Sequence, residues 1–300
     1  MEATTLHADE VRTDAALVRR LVAGQFPDWA GLPVRPLPSS GTDHRVYRLG
    51  DALSVRMPRV AGAVKQAVTE AQWLPVLAPR LPLPIPAQVA VGRPDGDYPF
   101  DWSVHAWLPG EAATPTTGDT PHVATALAEF VTALRAVDTE GAPLFSHGSR
   151  GGPLAGLDAS VRRAVAELGD RVAGAHVLRS WEESLTAEPA SAVTWIHGDL
   201  LPGNLLLAGD RLSSVIDFGC LGVGDPAVDL LPAWNLFTGP NRAEFRARTA
   251  AGPAAWLRGR GWALAQAVTA LPYYWDTDPA MVRQASHALR QVLADTEAGC

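Results

Sequence analysis

The sequence predicts an α+β chain of two lobes, a small β-rich N-terminal lobe with one main helix and a larger, mostly helical C-terminal lobe. Three observations predict it. Residues 44–58, "HRVYRLGDALSVRMP", alternate apolar and polar positions around Gly50-Asp51, which is a hairpin signal. Residues 61–77 then place Val64, Val68, Ala71, Leu74 and Leu77 at helical intervals. Beyond Gly110 helical spacing prevails, interrupted by one further hairpin, "NLLLAGDRLSSVIDFG", turning at Gly209-Asp210.

In chain order, Val11, Ala15, Val18, Leu21 and Val22 predict a first helix over 9–24. "PSSGTD" (38–43) is a turn of small residues just ahead of the hairpin. "PRLPLPIPAQ" stops the helix of 61–77, and "QVAVG" and "FDWSVHAWLPG" supply two more strands. Residues 1–105 are thus assigned to the first lobe and 106–300 to the second. In the second, Thr120-Pro121 caps and opens a helix through Val137, Asp158 is read as the cap of another, and a third covers His176 to Leu185. Helices are expected again over 227–237, 243–250, 254–271 and 278–295.

Composition narrows the function classes. The chain has 300 residues, 47% hydrophobic, and no run near the roughly 20 apolar residues of a membrane helix. The N-terminus "MEATTLHADEVRTD" is charged and lacks an apolar signal segment, so a cytoplasmic protein without a membrane partner is expected. Cys220 and Cys300 form neither a disulfide framework nor a zinc site. A net charge of −7 argues against a nucleic-acid surface and favours a cationic partner. Lys65 is the sole lysine, which removes lysine from almost every catalytic role.

The chemistry gathers at "WIHGDLLPGN" (195–204) and "VIDFG" (215–219). Asp199 and Asn204 sit in a loop after an apolar strand, and Asp217 ends the second strand of the hairpin that follows. Two carboxylates and an amide are hard oxygen donors of the kind that suit Mg²⁺ beside substrate phosphates. The set fits phosphoryl transfer, with one aspartate orienting a hydroxyl and the other donors holding metal on a nucleotide.

These residues resemble the catalytic and metal-binding loops of the aminoglycoside phosphotransferase family, relatives of the protein kinases. The resemblance implies a protein-kinase-like two-lobe fold and an O-phosphotransferase that uses ATP, or GTP, with Mg²⁺. It implies that Asp199 takes or orients the acceptor proton and that Asn204 and Asp217 ligate magnesium. Asp225 and Asp229 of "GDPAVDL" are read as braces, and His197 as orienting backbone beside Asp217. "GTDHRVYRLGDALSVRMPR" resembles the family's nucleotide-binding hairpin, with Arg56 standing where kinases carry lysine and Glu70 as its partner. Arginine offers both phosphate and carboxylate a planar fork instead of a point charge. Of the glycine-rich loop only Gly41 remains, flanked by Ser39, Ser40 and Thr42, which are either phosphate contacts or turn residues. "HAWLPG" resembles the connector on which the base rests, implying backbone contacts at Ala106 and Leu108.

For the acceptor, Trp234 and Asn235 lie just beyond the metal hairpin, and "PYYWDTDP" sets Tyr274 and Trp275 beside Asp276 and Asp278. Aromatic faces next to carboxylates suit a polyhydroxylated cation, although the same residues also read as core. An aminoglycoside-type antibiotic is the leading acceptor. Macrolide, peptide-antibiotic, choline, homoserine and ketosamine acceptors remain alternatives, as does a nucleotide-binding homologue without turnover.

Overall fold

A computed structural model describes residues 10–37, 43–144 and 150–298. Ser39, Ser40, Gly41 and Thr42 therefore lie outside the described residues, as does Cys300. The chain divides into two compact units, residues 1–79 with 84–109, and 80–83 with 110–300.

The first unit is built on a five-stranded antiparallel sheet. Strands β1 (Val34–Pro36), β2 (His44–Leu49), β3 (Leu53–Pro58), β4 (Gln88–Gly92) and β5 (Trp102–Ala106) take the order β1-β2-β3-β5-β4. Period-two alternation sorts their side chains. Tyr47, Leu49, Val55, Met57, Trp102 and Val104 form a core with Val18, Leu21 and Val22 of helix α1 (Ala15–Gln25). Their neighbours Ser54, Arg56, Ser103 and His105 thereby point to the opposite face. Helix α2 (Ala61–Leu77) packs on β3 and β5 and buries Gln66 and Glu70, one turn apart. Helix α1 starts at Ala15, later than its apolar spacing predicts, because the Asp14 carboxylate caps it by accepting the Leu17 amide at 2.7 Å. Strand β1 is too short to show a period in the sequence.

The second unit holds helices α3 (Pro121–Arg135), α4 (Asp158–Leu168), α5 (Gly174–Leu185), α6 (Pro232–Asn235), α7 (Gly239–Arg248), α8 (Pro253–Tyr274) and α9 (Pro279–Ala298). Among them run two small antiparallel sheets. One pairs β7 (Thr194–Ile196) with β10 (Gly222–Gly224), and the other orders β6 (Glu111–Ala112), β8 (Leu205–Ala208) and β9 (Arg211–Val215) as β6-β8-β9. Asp158 lies inside the first turn of α4 and does not cap it. Its carboxylate instead accepts the Trp181 indole N–H at 2.8 Å and the Arg162 guanidinium at 2.9 Å. The single helix expected over 227–237 is a 3₁₀ turn, Pro226–Leu230, followed by the short α6. Pro232 has no N–H with which to continue the turn before it.

Candidate active site

Strand β7 delivers the chain into the site. Ile196 is its last residue, and His197 follows fully buried. The amides of His197 and Gly198 donate to the two oxygens of Asp229, each at 2.8 Å. Burial pushes the Asp229 carboxyl above the usual carboxylate range, against the opposing pull of those amides and of Arg135. Gly198 turns with φ +79°, and a Cβ there would stand 2.9 Å from the Cys220 carbonyl oxygen. The turn thus needs glycine on two counts.

His197 is locked at both ring nitrogens. Nδ1 accepts the Asp199 amide at 3.2 Å, so the proton sits on Nε2, which donates to the Ile216 carbonyl at 3.0 Å. One ring thereby ties the backbone of Asp199 to the residue preceding Asp217. Its face packs on Phe218, with ring centroids 4.5 Å apart.

The Asp199 carboxylate, about one-fifth exposed at 21%, is the focus of the unit. Oδ1 accepts from Gln266 Nε2 at 2.8 Å and pairs with Arg150 Nη2 at 3.3 Å. Asn204 Nδ2 donates to the Asp199 main-chain oxygen at 2.8 Å and to Oδ2 at 3.3 Å. Asn204 also accepts the Ile216 amide on its carbonyl at 2.9 Å, which closes the mouth of the β8–β9 hairpin. Asp217 comes next, in the left-handed region at φ 63° and ψ 70°, a conformation to which Asp and Asn are better suited than most residues. The structure therefore brings Asp199, Asn204 and the Asp217 turn to one end of one hairpin.

This donor set fits a hard divalent cation. Because Nδ2 of Asn204 faces Asp199, its Oδ1 is directed elsewhere and takes no donor among the described residues. With the Asp217 carboxylate it offers oxygen ligands of the type magnesium prefers. No cluster of three or more His, Cys, Asp or Glu that could hold a metal occurs among the described residues, so phosphate oxygens and water would have to complete the shell.

In the first unit Arg56 Nη1 meets Glu70 Oε2 at 2.7 Å, with side chains only 12% and 3% exposed. Burial and the Arg56 charge push His105 down to about 3, and burial, then Arg56, depress His44 as well. Both rings are therefore neutral beside the ion pair. At the end of β5, Ala106 N–H donates to the Ala87 carbonyl at 2.9 Å, and just beyond it Trp107 N–H donates to the Ala52 carbonyl at 2.8 Å. The Leu108 N–H has no acceptor among the described residues and remains available to a ligand.

The acceptor residues fare differently. Trp234 is fully buried, packed 4.5 Å from Trp256 with its indole N–H on Asp295, and Asn235 is buried beside it. Both belong to the core of the unit and offer a ligand no face, which corrects their reading as acceptor contacts. Trp275 has its ring covered by the Arg171 guanidinium at 4.7 Å. Asp278 accepts the amides of Ala280 and Met281 at the start of α9, a capping role. Tyr274 is half-buried against Tyr273, and Asp276 is exposed. Gln266 and Arg150 escaped the sequence reading. For Gln266 a signal existed, since it is the one polar residue in the buried run "WALAQAV" (262–268).

The pattern of the phosphotransferase enzyme family matches residues 34–262. The chain belongs to that family, and the class it defines is the small-molecule phosphotransferase. No curated protein sequence matches it. Among solved structures it is similar to the GDP and kanamycin complex of APH(2")-IIia, at 20% identity and TM-score 0.74, covering 93% of this chain and 98% of that one. It is also similar to the macrolide 2'-phosphotransferase MphH from Brachybacterium faecium, at 22% identity and TM-score 0.61, covering 91% and 97%. A third is the ADP-bound aminoglycoside phosphotransferase APH(2'')-Ib, at 17% identity and TM-score 0.60, covering 93% and 98%.

Proposed function

We propose that the chain transfers the γ-phosphoryl group of ATP, or GTP, to a hydroxyl of a small molecule, with Asp199 as the general base. The observation that carries this reading is the Asp199 carboxylate, held by three side chains at the hairpin end that also presents Asn204 and Asp217. The acceptor oxygen forms a bond to the γ-phosphorus as the bridging β–γ P–O bond breaks. The bond's electron pair leaves with the nucleoside diphosphate, and the hydroxyl proton passes to Asp199. Magnesium on Asn204 and Asp217 would supply charge neutralisation to the phosphate oxygens. Arg56, positioned by Glu70, is assigned to the nucleotide phosphates, with Ser39, Ser40, Gly41 and Thr42 as further phosphate contacts. Leu108 N–H and the Ala106 backbone are assigned to the base.

The leading acceptor is a cationic amino sugar, supported by the net charge of −7 and by the kanamycin named with one similar structure. The test is nucleotide consumption against a panel of amino sugars, macrolides, peptide antibiotics, choline, homoserine and ketosamines. Turnover of one amino sugar, lost in Asp199→Asn, is expected. Consumption that no acceptor stimulates, or that survives Asp199→Asn, would overturn the reading.

A further inference from the structure

Helix α8 reaches the candidate base through the polar side chain of Gln266. Gln266 sits between Ala263, Leu264, Ala265, Ala267 and Val268, all buried, and its Nε2 donates to Asp199 Oδ1 at 2.8 Å. A carboxylate oxygen can only accept, so the amide's orientation is fixed with nitrogen toward Asp199. That choice leaves the amide oxygen, Oε1, buried with no donor among the described residues. An unmet buried acceptor is a cost to the fold, and an alanine or leucine like its neighbours would avoid it. The helix that carries Gln266 is also pinned. A Cβ on Gly259 would stand 2.8 Å from Leu230 Cβ and 3.1 Å from the Ala227 carbonyl, so α8 lies directly against the 3₁₀ turn that supplies Asp229. The same turn braces the loop of Asp199 through the His197 and Gly198 amides. Base and amide therefore share one rigid support, the arrangement that fixes a reacting group to within fractions of an ångström.

Resting on the phosphotransferase reading, we infer that Gln266 is a positioning residue that fixes the rotamer of Asp199 for attack by the acceptor. Arg150, also on Oδ1, contributes charge from a second direction. Gln266 supplies the uncharged, directional donor.

The test joins one spectroscopic and one kinetic measurement on the full chain. The Gln266 side-chain amide resonance, assigned by its loss in Gln266→Met, should move in Asp199→Ala; an unmoved signal would overturn the contact. Kinetics follow MgATP hydrolysis with water as acceptor, and kanamycin phosphorylation, in a cycle of Gln266→Met and Asp199→Asn. Gln266→Met keeps length and volume but has no donor, and should lower kcat about tenfold or more with the nucleotide KM unchanged. Gln266→Asn, which keeps an uncharged amide donor one methylene shorter, should recover part of the rate. In the Asp199→Asn background Gln266→Met should change little, within about twofold, because the group it positions is gone. Equal loss in both backgrounds, or a silent Gln266→Met in an enzyme that depends on Asp199, would overturn the inference alone. Wild-type turnover in Asp199→Asn would overturn the assignment of the base and this inference with it.

Discussion

Asp199 accepts from Gln266 and Arg150 through Oδ1 and from Asn204 through Oδ2, so replacing it by asparagine keeps its shape and removes its capacity to take a proton. Asp199→Asn is expected to lower kcat by about 10²-fold or more while nucleotide affinity holds, as acid–base contributions of this size imply. Steady-state kinetics beside a nucleotide titration check both halves. Asp217 is assigned, in the proposed reading, to the metal. Asp217→Ala should abolish magnesium-dependent nucleotide binding in calorimetric titration, and Asn204→Ala should weaken it less, because a carboxylate is the stronger magnesium ligand. Unchanged affinity in Asp217→Ala would make that carboxylate structural. That these three residues meet was legible in the sequence because they stand in close order around one hairpin, at whose end the structure gathers them. The partnership of Gln266 with Asp199 was not: its place as the one polar residue in a buried run marked it, but the two meet across 67 residues with no local spacing to pair them. Trp234 stayed open between core and acceptor readings for a related reason. An aromatic near a site looks the same in sequence whether its ring faces a ligand or, as here, Trp256.

At the scale of elements, the loop after β7 depends on one carboxylate. Asp229 receives two amides on two oxygens, and Asp229→Asn would set an NH₂ against one of those N–H donors. A loss of about 1–3 kcal/mol in unfolding free energy is expected, the cost of leaving a buried donor unmet, and urea titration measures it. The sheet of the first unit carries a pH dependence of definite sign. His105 and His44 are depressed below the usual histidine value by burial and then by Arg56, so both stay neutral when folded. As pH falls below about 6.5, the unfolded chain takes up protons that the folded sheet refuses, and stability present at neutral pH is lost toward the folded values. Each histidine contributes a slope of up to about 1.4 kcal/mol per pH unit in that window. His105→Gln should therefore remove about one such slope between roughly pH 6.5 and 4.5. The raised Asp229 acts in the opposite sense, and comparison with wild type cancels it. Curves of equal steepness would refute the assignment. The long periodic elements were readable in advance: α2 occupies the residues its spacing predicts. The 3₁₀ turn at Pro226–Leu230 and strand β10, Gly222–Gly224, were not, being too short for a period and fixed by tertiary contacts.

For the whole molecule, the net charge is −7, and no helix among the described residues is long and apolar enough to cross a membrane. With Trp234 and Asn235 buried, the acceptor reading rests on long-range charge and on the accessible side of α8. That side runs from Gln266 through Thr269 and Ala270 to Tyr273, positions i, i+3, i+4 and i+7, while Ala267, Val268 and Leu271 are buried. At 1.5 Å per residue it spans roughly 10 Å from the candidate base. Tyr273, 48% exposed, stands at its far end, with exposed Asp276 just beyond the helix. A small choline-like acceptor would cover little of this stripe, whereas a multi-ring amino sugar can place one hydroxyl at Asp199 and an ammonium group near Tyr273 and Asp276. Both contacts are solvent-exposed, so their attraction should be screened as the Debye length shrinks from about 10 Å at 0.1 M salt to about 3 Å at 1 M. The expected outcome is a kcat/KM for kanamycin that falls across that salt range, largely through KM. A rise in KM of a few fold is also expected for Asp276→Asn and Tyr273→Ala, with kcat nearly unchanged because neither residue reaches the reacting atoms. Salt-insensitive turnover of a neutral macrolide, with no amino sugar phosphorylated, would assign the stripe to an uncharged acceptor instead.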